Sequence, residues 1–497
     1  MSLTVSTTAP RQANHDALVL LLNKDRWKDQ LATLLGEWAE PVAQQAASEG
    51  FDAKASQLFS TPTFGKISAR RLLLLGAGAD PLDRDAIKDL GGQAAKAAAK
   101  MRASSMALWT SWDDTTLGGD PAGAAELVAQ GMALGAYRFD RYLTKKEGED
   151  KDVRPTGFEL LAADHLGALD STGRRTTALV EGIVVARNLG NEPPQVCTPA
   201  YMASEAVRIA EAYGMEATVF EEEALLEKGM NLLAAVGRGS EIGPRLIHLK
   251  YTGGGETKRK MAFVGKGVTF DTGGYSLKIS GSMVDMHLDM CGGAAVIGAA
   301  EAIGRLKPEG VEVHFIVPAA SNMVSKEAYT VNEIIKGYGG KTVEIANTDA
   351  EGRLCLADAL AYATELGVDE IIDLATLTGA CVVALGEQYS ALYSNSDEMA
   401  ADVLAASRRA GERMWHMPLD KKLRDKLKSP VADMKNVGDR WGGSITAALF
   451  LKEWVGETRW THLDIAGPAF LENSSPIGHK GASGVGVTTL VAYATKG

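Results

Sequence analysis

Residues 260–278 read KMAFVGKGVTFDTGGYSLK, an apolar run followed by a glycine-rich polar turn. The run Lys260–Val264 predicts a buried β-strand, because it is short, apolar and bounded by glycine. Similar runs alternate with segments of helical periodicity over the second half of the chain. The other strand candidates there are Arg245–Lys250, Val311–Val317, Thr342–Ile345, Glu370–Leu374 and Trp460–Ile465, and the helix candidates are Tyr201–Tyr213, Gly293–Leu306 and Leu354–Leu366. This alternation predicts a central, mostly parallel sheet flanked by helices on both faces.

The first third of the chain predicts a second, smaller α/β domain. Its strand candidates are Ala17–Leu22, Arg71–Leu75 and Phe158–Ala163, and its clearest helix candidate is Asp85–Trp109. A long helix is then predicted over Thr172–Leu189, before the prolines of the sequence NEPP at 191–194, which cannot continue a helix. We therefore predict an α/β protein with a smaller N-terminal domain at 1–171, a linker helix at 172–190 and a larger C-terminal domain at 191–497.

The composition excludes several classes of protein. The chain has 497 residues, 52 Lys and Arg against 63 Asp and Glu, and a formal net charge of -11. This acidic balance argues against nucleic acid or an acidic membrane as a partner. Four dispersed cysteines without a CxxC pair are typical of reduced thiols in the cytoplasm, and no apolar run is long enough to cross a bilayer.

Four carboxylates lie in short glycine-rich turns that follow predicted strands. They are Asp271, Asp289, Asp349 and Glu351, and the cations Lys266, Lys278 and Arg353 lie among them. The carboxyl ends of parallel strands meet at one edge of a sheet, where sites form. Crowded carboxylates suit divalent cations, so the pattern favours a two-metal hydrolase over a network of structural ion pairs. A buried lysine beside metal ions can lose its proton and become a ligand, and a protonated lysine can stabilise an oxyanion. The bond that is cleaved stays open at this point.

Residues 347–354 read NTDAEGRL, which resembles the signature octapeptide of the leucyl aminopeptidase family (cytosol aminopeptidases, peptidase family M17). Collinear segments that also resemble the family are 191–194 with 198–199, 264–278, 373–380 and 462–467. The resemblance covers the chain from about 180 to 490. The N-terminal region is similar to the family only in size and α/β character.

The resemblance implies a set of site residues. Asp271 and Glu351 would bridge two divalent metal ions, Asp349 would complete one metal site, and Lys266 with Asp289 would complete the other. The metals implied are zinc, with manganese, magnesium or cobalt as substitutes. The family's catalytic residues match Lys278 and Arg353, with a bicarbonate ion at Arg353, and its substrate pocket matches Met286, Thr376 and Gly379. Many members carry Asp where this chain has Val284.

The resemblance also implies an activity and an assembly. A hydroxide that bridges the two metals would remove N-terminal residues, Leu-like and other apolar ones preferred, from short peptides with a free N-terminus. The assembly implied is a homohexamer. Two alternatives come from other classes: a DNA-binding or regulatory relative with secondary peptidase activity, and a metal-dependent phosphoesterase. Cys291 and Cys355 are expected to pack in the core, and His287 is given no role.

Overall fold

The computed structural model describes residues 2–79, 82–110, 120–144, 153–161, 169–279 and 281–496. The chain forms two compact units, Met1–Val180 with Asn473–Lys480 and Glu181–Glu472 with Gly481–Gly497. Each unit has a buried apolar core of its own, so the predicted two-domain α/β architecture is confirmed. The bounds 1–171, 172–190 and 191–497 stay a prediction.

The described strands of the N-terminal unit form a six-stranded sheet. They are β1 (Ser2–Ser6), β2 (Ala17–Asn23), β3 (Leu58–Pro62), β4 (Arg71–Gly78), β5 (Ser105–Thr110) and β6 (Gly157–Leu161). Their order is β1-β6-β5-β2-β4-β3, and only β3 runs antiparallel to its neighbour. The helices are α1 (Trp27–Leu35), α2 (Ala39–Ser48), α3 (Arg84–Lys100), α4 (Pro121–Gly135) and α5 (Leu169–Asn191), and the two units divide within α5.

The larger unit is built on a mixed sheet that is mostly parallel around the site. Its strands are β7 (Glu216–Glu221), β8 (Arg245–Thr252), β9 (Arg259–Gly265), β10 (Gly267–Asp271), β11 (Val311–Asn322), β14 (Glu370–Ala375), β15 (Ser390–Ser394), β16 (Met414–His416) and β18 (Arg459–Asp464). The order is β16-β15-β18-β14-β9-β11-β8-β7, and β10 pairs with β11. The strands β18, β14, β9 and β11 are parallel neighbours, so their carboxyl ends lie at one edge.

Two small sheets and a set of helices complete the larger unit. The strands are β12 (Ile334–Lys336), β13 (Thr342–Glu344) and β17 (Met434–Lys435) in one sheet, and β19 (Phe470–Leu471) and β20 (Gly481–Ala482) in the other. The helices are α6 (Pro199–Tyr213), α7 (Glu222–Lys228), α8 (Asn231–Gly237), α9 (Cys291–Leu306), α10 (Gly352–Glu365), α11 (Gly379–Leu385), α12 (Asp397–Ala410), α13 (Gly443–Lys452) and α14 (Val487–Ala494). Within the described ranges, no helix combines the length and apolar character needed to cross a membrane.

Two sequence predictions differ from the structure. The helix predicted over Asp85–Trp109 was wrong after Lys100, where α3 ends and the chain continues to β5. Arg102 adopts a left-handed conformation with φ 59°, which breaks the helix, and the apolar residues of β5 are buried in the sheet. The predicted strand at 342–345 exists, but it lies in the small sheet and not in the central one. Residues 162–163 of a third predicted strand lie outside the described part of the chain.

Candidate metal centre

The first predicted motif lies at the carboxyl edge of the central sheet. Lys266 joins β9 to β10, and its backbone N–H donates to the carbonyl of Leu374 on β14 at 3.1 Å. Its side chain passes over the start of α10, where a Cβ atom on Gly352 would lie only 2.4 Å from Lys266 Cε. Glycine at 352 is therefore required for Lys266 to reach the site.

The second motif, residues 347–354, follows β13 of the small sheet. The sequence predicted instead that it follows a strand of the central sheet. Asp349 and Glu351 lie between β13 and α10. The hydroxyl of Thr348 donates to the carbonyl of Gly273 at 2.6 Å and accepts from the N–H of Ser276 at 2.7 Å. These bonds hold the two motif loops together.

One group of charges, which we name the Lys266 end, consists of Lys266, Asp289 and Glu351. Lys266 Nζ lies 2.7 Å from Asp289 Oδ2 and 2.9 Å from Glu351 Oε1. It also donates to the carbonyl of Thr376 at 3.1 Å. All three charged side chains are buried, with Lys266 3% exposed.

The other group, the Lys278 end, consists of Lys278, Asp271 and Asp349. Lys278 Nζ lies 2.7 Å from Asp271 Oδ2 and 2.6 Å from Asp349 Oδ1. Asp271 is buried at the end of β10, but the side chain of Lys278 is 14% exposed and that of Asp349 is 35% exposed. The Lys278 end is thus the more open of the two.

The arrangement fits divalent cations. Asp271, Asp289 and Glu351 each offer a carboxylate oxygen, and these oxygens lie within 4.8 Å of one another. Glu351 Oε2 is buried and has no hydrogen-bond partner among the described residues. Four carboxylates face two lysines, so the cluster carries excess negative charge that cations can compensate.

The charges shift one another's pKa values. Burial raises the pKa of Glu351 to about 8, with a further contribution from the charge of Asp271. Burial likewise raises the pKa of Asp289 to about 6, against the opposing effect of Lys266. Burial opposes the charge on both lysines, but the carboxylates outweigh it and raise the pKa of Lys266 and of Lys278 above the ordinary value. Lys266 can therefore become a neutral metal ligand only after it loses a firmly held proton.

Arg353 lies in the first turn of α10 and is buried. Its Nη1 donates to the carbonyl of Asn436 at 2.8 Å, while its Nε makes no hydrogen bond to any described residue. Burial lowers the pKa of Arg353 to about 10, so the guanidinium stays charged at neutral pH. A buried guanidinium with a free N–H suits an oxyanion.

The three predicted pocket residues lie at different distances from the charges. Thr376 is in direct contact with the cluster, because its Oγ1 donates to Asp289 Oδ1 at 2.7 Å. Met286 is half-buried and begins a short 3-10 turn that ends just before Asp289. Gly379 is exposed at the start of α11, and a Cβ atom there would meet only open space.

Three residues that support the site were missed from sequence. Asn322 donates to Asp271 Oδ1 and to the carbonyl of Thr348, and Asn436 holds Arg353. Asp464 accepts a hydrogen bond from the hydroxyl of Thr378, in the segment that follows β14. Asn322 and Asp464 are polar residues at strand ends, a signal that could have identified them. Asn436 follows β17 of the small sheet and carried no such signal.

The residues given no chemical role behave as expected. Cys291 and Cys355 are buried, and burial raises the pKa of each thiol far above its ordinary value. They are packing residues rather than nucleophiles. Val284 is 68% exposed and lies between Asp271 and Asp289 in the chain.

Models of two protein domains match this chain. The catalytic domain of the cytosol aminopeptidase family matches residues 184–491, and the N-terminal domain of the same family matches residues 19–146. A probable cytosol aminopeptidase of Acaryochloris marina is 42% identical over 465 residues, 93% of each chain. One from Synechococcus sp. is 40% identical over 498 residues, 99% of each chain.

Solved structures agree with these matches over the whole length. A mutant of tomato leucine aminopeptidase superposes with a TM-score of 0.88 at 34% identity, covering 100% of this chain and 97% of that one. The bottromycin maturation enzyme BotP in complex with Mn gives a TM-score of 0.85 at 32% identity, covering 97% of this chain and 99% of that one.

Proposed function

The chain belongs to the cytosol aminopeptidase family and is a metallo-aminopeptidase, and on that premise we propose that it uses two divalent cations to remove apolar N-terminal residues from short peptides. The observation that carries the proposal is the convergence of buried carboxylate oxygens from Asp271, Asp289 and Glu351 within 4.8 Å. A buried cluster of this kind is costly unless cations compensate it.

The two ends of the cluster support a division into two metal sites. Asp271 belongs to the Lys278 end, yet its carboxylate oxygen lies close to those of Asp289 and Glu351. We therefore assign Asp271 and Glu351 as bridging ligands, Asp349 to the open site, and Lys266 with Asp289 to the buried site. We propose that the two ions are zinc or manganese, with magnesium or cobalt as substitutes. The BotP relative was solved in complex with Mn.

We assign Lys278 and Arg353 as the non-ligand catalytic residues. When bound, the cations would supply Lewis-acid activation of the peptide carbonyl and of water, and a bicarbonate ion at Arg353 would supply a general base. Lys278, protonated and partly open to solvent, donates to the oxygen of the scissile carbonyl as negative charge develops there. Arg353 orients the bicarbonate with the N–H groups that Asn436 leaves free.

The substrate proposal rests on three residues near the cluster, one of which, Thr376, touches the Lys266 end. Met286, Thr376 and Gly379 form the pocket for the first side chain, and a flexible methionine favours Leu-like and other apolar groups. The free α-amine of the peptide would bind one of the two metal ions, so an N-acetylated peptide is excluded.

Hydrolysis of leucyl p-nitroanilide tests the proposal. We expect the Mn²⁺-loaded protein to cleave this substrate and leave its N-acetyl analogue intact, and to bind two Mn²⁺ ions per chain by calorimetry. Glu351→Gln should lower kcat/KM by at least ~100-fold, since it removes a bridging carboxylate. The matched control, Glu365→Gln at the exposed end of α10, should retain activity. A single Mn²⁺ per chain, or equal cleavage of both substrates, would contradict the proposal.

We also propose that the active form is a cytoplasmic homohexamer. The support is family membership and the relatives' name, cytosol aminopeptidase. Light scattering coupled to gel filtration should give the mass of six chains, and a monomer or dimer would refute the assembly.

A further inference from the structure

A fully buried carboxylate lies behind the site, outside the set of proposed ligands. Asp464 ends β18, next to β14 in the central sheet, and is 1% exposed. The two strands are parallel with Ala375 opposite Asp464, so the carboxylate faces the residues that follow β14. We name these residues, Thr376–Gly379, the 376–379 segment.

Asp464 binds this segment at several points. Its Oδ2 accepts from Thr378 Oγ1 at 2.7 Å, and its Oδ1 accepts from the backbone N–H groups of Leu377 at 3.2 Å and Thr378 at 3.4 Å. The same Oδ1 also accepts from the N–H of Ala466 at 3.3 Å. One carboxylate thus fixes both the backbone and a side chain of the segment.

Burial raises the pKa of Asp464, and the charge of His462 opposes this rise. His462 lies two residues earlier on β18, on the same face, and its Nδ1 lies 2.6 Å from Asp373 Oδ1. Burial disfavours the charged imidazole, but the carboxylates of Asp373 and Asp464 outweigh burial and raise the pKa of His462. His462 and Asp464 therefore favour each other's charged forms in the buried interior.

The segment that Asp464 holds reaches the Lys266 end directly. The carbonyl of Thr376 accepts from Lys266 Nζ at 3.1 Å, and the hydroxyl of Thr376 donates to Asp289 Oδ1 at 2.7 Å. The position of Thr376 therefore sets the orientation of a proposed ligand pair, while Gly379 at the other end of the segment borders the proposed pocket.

We propose that Asp464 is a positioning residue for the buried metal site and the substrate pocket, acting through the 376–379 segment. The proposal rests on the proposed function. Groups that orient metal ligands from behind commonly change metal affinity or activity by about 10- to 100-fold when they are removed. Asp464 has the contacts of such a group.

Three substitutions test this role. Asp464→Asn removes the charge and one acceptor, and Thr378→Val removes the hydroxyl at constant shape; both should weaken Mn²⁺ binding by about 10-fold and raise the KM for leucyl p-nitroanilide. Thr378→Ser keeps the hydroxyl and should restore wild-type Mn²⁺ affinity. Calorimetric titration of the metal-free protein measures affinity without any need for turnover.

Asp358→Asn is the matched control. Asp358 is also fully buried and accepts from the backbone N–H groups of Leu233 and Tyr338, away from the 376–379 segment. The Asp358→Asn substitution should lower the melting temperature of the protein without changing its Mn²⁺ affinity. If Asp464→Asn and Thr378→Val bind Mn²⁺ as the control does, Asp464 is merely structural and the proposal fails. If the wild type binds Mn²⁺ but cleaves neither substrate, the proposed function fails while the affinities still decide the role of Asp464.

Discussion

The two ends of the site hold their lysines in different surroundings. At the Lys266 end the ammonium is sealed between two buried carboxylates and a carbonyl. At the Lys278 end one of the two carboxylates, Asp349, is 35% exposed, and the lysine itself reaches solvent. The same residue types therefore have different roles. The Lys266 end, which is closed, keeps charges in fixed positions, and the Lys278 end, which is open, is where we expect a peptide to enter.

The largest expected effect comes from removing each lysine in turn. Lys266→Met leaves buried carboxylates without their cation and should lower the free energy of unfolding by about 3 to 5 kcal/mol in the presence of chelator. Lys278→Met should lower it clearly less, because solvent can reach the carboxylate of Asp349. Urea denaturation of both metal-free variants measures the difference.

Activity should not separate the two variants as stability does. Both should lose most activity when loaded with Mn²⁺, Lys266→Met through a distorted metal site and Lys278→Met through lost oxyanion stabilisation. Equal stability losses in the two variants would remove the distinction between a closed and an open end.

Metal removal gives the next largest effect. At a free Mn²⁺ concentration 100 times the dissociation constant, binding should add about 2.7 kcal/mol to the free energy of unfolding for each ion bound, and chelation should abolish the gain. Asp289→Asn should lose more of this gain than Asp349→Asn, because Asp289 is buried against Lys266 and water cannot take its place. Thermal melts with and without Mn²⁺ check the order, which is wrong if Asp349→Asn loses more.

The central sheet and the charged residues of the site could be predicted from the sequence, because short apolar runs followed by glycine-rich polar turns mark strand ends directly. The strands at 260–264 and 370–374 and the helices at 293–306 and 354–366 are confirmed by β9, β14, α9 and α10. The roles of the predicted site residues stay a prediction. The contacts place Lys266, Asp271, Asp289, Asp349 and Glu351 in one cluster with Lys278.

What could not be predicted depends on contacts between residues distant in the chain. Asn436 reaches Arg353 only because β17 pairs with β13, a pairing of strands about 90 residues apart. The helix error at Trp109 arose because the alanine-rich pattern of α3 continues close to β5, and burial in the sheet overrides that pattern. The N-terminal unit offered no motif, although the family's N-terminal domain matches residues 19–146.

Two glycines at helix starts provide a smaller test of the same contrast. Gly352→Ala brings a methyl group against the stem of Lys266 at the closed end and should cost about 1 to 3 kcal/mol in stability and lower kcat. Gly379→Ala faces open space and should change stability by less than about 0.5 kcal/mol. An effect of Gly379→Ala confined to KM would support its place in the substrate pocket, and an unaffected Gly352→Ala would show that Lys266 can move.

The smallest effect concerns a buried carboxylate without a lysine, which shows what the lysines contribute. Asp358 on α10 accepts from backbone N–H groups and has no ion-pair partner in the described part of the chain, and burial raises its pKa to about 7. The folded-state pKa of Asp358 lies above the unfolded value of 3.8, so the fold favours the protonated carboxyl. The contribution of this group to the free energy of unfolding is complete below pH 3.8 and is lost as the pH rises through 7. The stability gap between the wild type and Asp358→Asn should therefore narrow by about 1 kcal/mol between pH 6 and pH 7.

Urea denaturation at both pH values measures the gap, with Asp433→Asn as control, because hydrogen bonds from Thr342 lower the pKa of the exposed Asp433 and keep it ionised throughout. A gap that widens or stays constant would mean that Asp358 is already ionised in the folded chain, and that backbone amides alone can stabilise a buried charge without a lysine.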